Sequence, residues 1–391
     1  MKALRNYLNK VKPEFEPGGK YQKLWSVFDG FESFLFVPNT TSPKNGVQIH
    51  DSVDSKRVMS IVVLALIPAL LVGMFNVGYQ HFLAIGQEVS FIETFIFGFL
   101  AVLPKIVVAY VVGLGIEFIV AQYKHHEIQE GFLVSGMLIP MIVPVDTPLW
   151  MIAVATAFAV IFAKEIFGGT GMNVFNVALI TRAFLFFAYP SKMSGDSVFV
   201  RTGDTFGIGA GQVVEGFSGA TPLSYAAAGE PIKGVVGQAL STWDGFLGLI
   251  PGSIGETSTL AILIGAAILL FTGVASWRIM ASVFAGGALM GAIVYAAGGS
   301  TLTAADQIVF GGFAFAAVFM ATDPVTGCRT NTGKYIYGFL IGVIAIIIRV
   351  FNTGYPEGAM LAVLLLNVFA PLIDFYVVEA NIKRRLKRAN A

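Results

Sequence analysis

Runs of apolar residues near or above the roughly 18 that span a bilayer recur from residue 58 to residue 378. Lipid offers no partner to a free backbone N–H or C=O, so a chain of this kind must satisfy its own backbone. The expected architecture is an all-α polytopic membrane protein. Composition agrees: 55% of the residues are hydrophobic and 13% charged, against about 25% charged in soluble domains. The mean hydropathy is +0.75.

Hydropathy places ten spans at about 58–78, 97–122, 131–145, 148–164, 173–189, 257–275, 278–298, 307–322, 334–350 and 357–378. Pro140 and Pro144 interrupt the third, and Gly168-Gly169-Thr170-Gly171 precedes the fifth. Broken helices at membrane depth are tolerated where protein or a cavity satisfies the freed backbone, and they often mark binding sites. The segment through Arg57 holds nine Lys and Arg residues, and the tail after Val378 holds five. With an even number of spans both ends share one side, and the positive-inside rule makes it the cytoplasm. The chain then divides into a cytoplasmic segment 1–57, a first five-helix half 58–189, an outer loop 190–256, a second half 257–378 and a basic tail 379–391. The first span is expected to act as its own insertion signal, because the residues before it are polar and basic.

Each half carries a polar break at its expected cytoplasmic edge, 167–173 in the first and 321–327 in the second. An odd number of spans per half gives the halves opposite orientation. An inverted repeat with a site at its interface is one reading, and coincident loop chemistry is the other. Cys328 is the single cysteine, which excludes an intrachain disulfide and a Cys-held cluster. His125 and His126, beside Lys124 and Glu127, read as a solvated turn.

The outer loop contains Glu215-Gly216-Phe217-Ser218-Gly219-Ala220-Thr221-Pro222. Pro222 suits the first turn of a helix and makes Thr221 its N-cap. Backbone N–H groups there favour a phosphate, and Gly219 and Ala220 leave room for a bulky group. An unmodified N-cap threonine and a modified one both fit. Phe315, Phe319 and Asp323 are spaced four apart, as on one helical face. Asp323 is either an oxygen ligand at the mouth of a cation path, with the two rings as its constriction, or an Asp-Pro helix stop. Asp374, Glu127, Glu130 and Asp29 are each a cation ligand or an ordinary interfacial charge. Asn173 and Asn176 could hydrogen-bond a planar heterocycle or a quinone. Arg182 and Lys105 lie within spans and need polar partners, unless Lys105 snorkels. The glycine run at 168–171 is not a Walker loop, since no Gly-Lys-Ser/Thr follows.

Several stretches, taken in order, match one known family. They include Phe15-Glu16-Pro17-Gly18-Gly19-Lys20, Asp51-Ser52-Val53-Asp54-Ser55-Lys56-Arg57, Glu130-Gly131-Phe132 and Lys164-Glu165-Ile166-Phe167-Gly168-Gly169-Thr170-Gly171. Further on come Arg182-Ala183-Phe184-Leu185-Phe186-Phe187-Ala188-Tyr189-Pro190, Ser218-Gly219-Ala220-Thr221, Ile250-Pro251-Gly252-Ser253-Ile254-Gly255-Glu256, Met320-Ala321-Thr322-Asp323-Pro324-Val325 and Asn381-Ile382-Lys383-Arg384-Arg385. Over essentially its full length the chain resembles the B subunits of the Na+-translocating NADH:quinone oxidoreductases of bacterial inner membranes.

The resemblance implies ten helices in two inverted five-helix halves, similar to urea channels. It implies FMN joined through its phosphate to Thr221 in the Ser218-Gly219-Ala220-Thr221 stretch, attached by a flavin transferase on the outer face. The family's attachment pattern usually begins with Asp, where this chain has Glu215. A non-covalent riboflavin is implied near Asn173 and Asn176, and quinone near Gly131–Gly136. Na+-pathway acids of the family fall on Asp323 and Asp374 and on Glu127 or Glu130, and the N-terminal acidic position is Asp29 here. The Phe315 and Phe319 constriction read from their spacing would be the gate on that path. The implied partners are the other subunits of a six-subunit complex, since no nucleotide-binding βαβ unit is found here for NADH. Electrons would pass from NADH through those partners and both flavins to ubiquinone or menaquinone as Na+ moves outward. No nucleic acid is implied. The D subunit of an Rnf-type ferredoxin:NAD oxidoreductase is the nearest alternative, against which the Phe15–Gly19 segment argues; a small-solute channel is another.

Overall fold

Apolar runs fold as helices because lipid leaves the backbone no other partner. The computed structural model describes residues 2–16, 18–25, 27–29, 32, 36, 45, 55–124, 131–194, 198–352, 354 and 357–389. Helix α1 (Lys2–Val11) comes first. The first apolar set is α2 (Ser55–Ala84), α3 (Phe91–Lys124), α4 (Phe132–Met141), α5 (Leu149–Ala159, continued by a π turn and a 3-10 turn) and α6 (Val177–Ala188). The loop of residues 190–256 forms α7 (Pro222–Ala228) and α8 (Thr242–Leu247) among its described residues. The second set is α9 (Thr259–Phe271), α10 (Trp277–Ala296), α11 (Ala304–Val309), α12 (Phe313–Phe315, continued by a π turn), α13 (Asn331–Phe351) and α14 (Ala359–Ala389). Among the described residues there is no strand, only isolated bridges between Thr205 and Ile208 and between Lys233 and Ala239.

The ten expected spans differ in kind. Six helices among the described residues are long and apolar enough to cross a membrane. Helices α4, α6 and α9 have 10, 12 and 13 residues, too short to cross alone at about 1.5 Å per residue. The eighth span is two pieces, α11 and α12, because Phe310 turns extended (ψ 136°) and Gly311 takes φ +74°. The last helix runs past residue 378 through the basic tail. The two polar breaks also occupy different places. With α11 and α12 counted as one element, 167–173 joins the fourth and fifth elements of its set, whereas 321–327 joins the third and fourth. By element order the counterpart of 321–327 is the 142–148 turn, in which Asp146 answers Asp323.

Lipid tails satisfy apolar side chains as well as protein does, so membrane helices associate where small residues let backbones approach. A Cβ on Gly98 of α3 would strike the Met74 carbonyl of α2, and one on Gly78 the Thr94 carbonyl. Helices α10 and α13 interlock through Gly286 against Phe339 and Gly342 against Val283. Gly265 of α9 lies against Ala65 of α2 and the Phe319 ring, joining the two sets.

Polar contacts tie the 190–256 loop down. The ring nitrogens of His81 lie 2.7 and 2.9 Å from the carbonyls of Arg201 and Gly209, and the ring stacks on Phe97 at 3.9 Å. Asn76 donates to the Ile250 carbonyl at 2.8 Å. Capping boxes start α8 (Ser241 with Asp244) and α11 (Thr303 with Asp306), and Thr242 donates to Asp306 at 2.5 Å. The Ser241 donors hold the Asp244 carboxyl below its ordinary range. Gly342→Val should wedge α10 from α13 and destabilise the protein by about 1–3 kcal/mol, read as a lower melting temperature by fluorescence-detected gel filtration.

Candidate functional site

A helix leaves its last carbonyls without intrahelical donors. In each set one broken helix ends inside the protein, and a buried arginine supplies a donor. Arg182 of α6 donates from Nη1 to the Ile142 carbonyl just past α4, where the Gly255 N–H also donates to Met141 at 2.7 Å. Arg349 of α13 donates from Nη1 to the Gln307 carbonyl of α11 and to Gln307 Oε1 at 3.1 Å. Arg182, only 1% exposed, pairs with Glu256 at 3.3 Å and with Glu357. Lys105 is buried rather than snorkelling, and donates to the Thr147 carbonyl at 2.8 Å.

Thr221 (φ −78°, ψ 157°) is the N-cap of α7, with Oγ1 accepting from the Ser224 N–H at 3.3 Å. It is half-buried and borders a cleft lined by Ser253, Glu256, Thr257, Gly311 and Glu357. The carboxylates that pair with Arg182 therefore form the inner wall of the threonine's cleft. The buried Thr257 Oγ1, in the same wall, has no hydrogen-bond partner among the described residues. The preceding turn is held by Ser218, whose N–H donates to Val235 at 3.0 Å and whose Oγ accepts from Ala220 at 3.3 Å. Gly219 and Ala220 are buried, and Glu215 is exposed.

A second cleft, of about 120 Å³, brings together Asn173, Asn176, Phe319 and Asp323 with Gly131 and Lys164. Asn176 caps α6, its Oδ1 accepting from Leu179, and its Nδ2 donates to Asp323 Oδ2 at 3.2 Å. The Val325 N–H donates to Asp323 Oδ1 at 2.9 Å. Asn173 donates to the Phe175 carbonyl at 2.9 Å. The rings of Phe315 and Phe319 are 5.0 Å apart and both buried. The expected helical face does not extend to Asp323: the π turn at Ala316–Met320 closes with Ala321 N–H donating to Ala316, and Asp323 sits in the turn beyond. Phe319 and Asp323 reach the same cleft nonetheless.

Neither Asp374 nor Asp29 lines that cleft. Asp374 is occupied in starting α13, accepting from the N–H groups of Arg329 and Thr330 at 2.7 and 3.1 Å and from the Thr330 hydroxyl at 2.5 Å. Asp29 is half-buried beside Phe28, which stacks on Phe15. Glu127 and Glu130 lie outside the described residues. Sequence reasoning missed the buried Lys164–Glu117 pair and the role of Arg349. A charged residue inside an apolar run, as both Glu117 and Arg349 are, was the signal available.

These features define a polytopic helical membrane protein whose broken helices meet around two polar clefts. The chain belongs to the NQR2, RnfD, RnfE family, whose model matches residues 43–383. It is 44% identical to the B subunit of the Na(+)-translocating NADH-quinone reductase of Chromohalobacter salexigens, over 99% of this chain and 97% of that one. It is 42% identical to the proteins of that description from Pseudomonas aeruginosa and Azotobacter vinelandii, over 99% of each chain.

Removing Arg182 strands two buried carboxylates and the Ile142 carbonyl. Arg182→Leu should cost about 3–5 kcal/mol, and adding Glu256→Gln should restore part of it. Thermal denaturation of the purified protein checks both; an additive double variant contradicts the pairing.

Proposed function

We propose that the chain is the membrane-spanning B subunit of a Na+-translocating NADH-quinone reductase, coupling electron delivery to quinone with export of Na+. Similarity over nearly the whole length of the curated relatives supports this reading. The observation that carries the site assignment is Thr221, a half-buried hydroxyl on a tethered turn, opening on an oxygen-lined cleft. What supports FMN joined through phosphate here is the Thr221 hydroxyl at the cleft, with the buried Thr257 Oγ1 lacking a partner that a ligand group would supply. The Asp323 cleft suits a riboflavin, since two amide side chains, Asn173 and Asn176, stand in its wall beside an apolar lining. Bound there, the two flavins supply reversible electron transfer, while the protein supplies position, hydrogen bonds and charge.

In this reading Thr221 holds the outer group, with Ser218, Gly219 and Ala220 as the turn that a flavin transferase recognises. Asn173 and Asn176 orient the inner one, and the neighbouring Gly131–Gly136 region receives quinone. Asp323 takes Na+ from the cytoplasm, with Asp374, Glu127, Glu130 and Asp29 as further pathway acids. The packing and burial of the Phe315 and Phe319 rings support a role for them as the gate. Moving one charge outward against ~100 mV needs about 2.3 kcal/mol, which the gate must not let leak back.

Ten membrane elements in two inverted halves, urea-channel-like, give this arrangement, with both termini in the cytoplasm of a bacterial inner membrane. The placing of Asp146 and Asp323 after the third element of each set supports the repeat. The other subunits of the complex carry the NADH chemistry.

Thr221→Ala should abolish the flavin fluorescence of the denatured band in gels; fluorescence that persists means attachment elsewhere, and none in the wild type means a solute channel. Asp323→Ala should raise the Na+ concentration for half-maximal quinone reduction about tenfold, a loss of ~1.4 kcal/mol. Unchanged Na+ activation removes Asp323 from the path.

A further inference from the structure

A third cleft, of about 500 Å³, opens where α10 and α13 begin, and shares Thr322, Asp323 and Pro324 with the Asp323 cleft. Arg278, Arg329 and Lys334 line it. Among the described residues none of the three has a carboxylate within ion-pair distance. Arg278 and Lys334 are half-buried, so water screens them less than it would an exposed side chain. The two nearby acids accept hydrogen bonds from other groups and form no ion pair with these cations. Asp323 is held by Asn176 and Val325, and Asp374 by Arg329 N–H and Thr330. Ser276 precedes α10 without a side-chain cap, which leaves first-turn N–H groups of that helix on the same face.

The rim has the chemistry of a membrane interface. Trp277 meets Tyr335 edge-on at 6.0 Å, and Arg278 lies 5.2 Å over the Trp277 ring. Leu270 and Trp277 of the cleft lining are exposed, as is Tyr335 next to Lys334. Positive charge bordered by interfacial aromatics and an apolar wall suits an amphiphile with a phosphate head. A free phosphate would leave the apolar wall unused.

We propose that this cleft binds the headgroup of an anionic phospholipid, its phosphate against Arg278 and Lys334 and its acyl chains along the exposed ends of α9, α10 and α13. The headgroup also neutralises cations that would otherwise repel Na+ from the Asp323 cleft. That consequence rests on the proposed function; the binding does not.

The test uses the whole complex in nanodiscs of phosphatidylcholine with and without phosphatidylglycerol, followed by native mass spectrometry. The wild type and the charge-preserving Arg278→Lys/Lys334→Arg variant should retain at least one phosphatidylglycerol that Arg278→Gln/Lys334→Gln loses. Equal retention by the Gln variant overturns the site, as does equal retention of phosphatidylcholine. Full displacement by inorganic phosphate assigns the cleft to a free anion instead, and cross-linking of Lys334 to a carboxylate of another protein in the complex assigns it to a protein interface; either result overturns the lipid assignment. In the same nanodiscs phosphatidylglycerol should lower the half-saturating Na+ of the wild type but not of the Gln variant. Selective retention without that shift supports the lipid site and overturns its link to Na+ entry.

Discussion

A helix that stops inside a bilayer must find donors for its last carbonyls, and Arg182 and Arg349 provide them to Ile142 and Gln307. A guanidinium suits this task because it presents several donors in a fixed plane and stays charged. Its burial would be costly alone. Glu256 and Glu357 offset the charge of Arg182, and both come from segments that lead into helices of the second apolar set. One polar cluster thus closes the end of α4 and joins the two sets. Without it the Ile142 carbonyl would be buried without its guanidinium donor, and the clefts on either side would lose a fixed wall.

That cluster also relates the scaffold to the chemistry proposed for it. Glu256 and Glu357 face Arg182 on one side and the Thr221 cleft on the other. A group tethered at Thr221 therefore sits against charges that cannot move without disturbing α4 and α6. The Asp323 cleft depends on a different device, the π turn at Ala316–Met320, which ends the helix early and turns the Asp323 carboxylate toward Asn176. Glycine contacts such as Gly265 against Ala65 and Phe319 keep the two rings packed beside it.

Much of this was legible in the sequence where a residue's chemistry is local. Pro222 after Thr221 specified the N-cap, and the apolar runs specified the helices. Asn176 and Asp323, which proved to be hydrogen-bonded partners, each stood out as a polar residue at the edge of a span. What depended on three-dimensional pairing was not legible. Asp374 reads as an interfacial charge, yet both its oxygens accept hydrogen bonds at the start of α13. The spacing of Phe315, Phe319 and Asp323 suggested one face, but a π turn leaves the same residue types in sequence while changing their direction. Arg349 and Glu117 were hidden by their apolar neighbours, because a hydropathy average dilutes one charge in a long run.

Mass spectrometry of the proteolytic peptide spanning Thr221, from cells competent in flavin transfer, tests the central claim most directly. Covalent attachment predicts a peptide heavier by FMN less one water, with fragmentation locating the added mass on Thr221. A peptide of unmodified mass contradicts it.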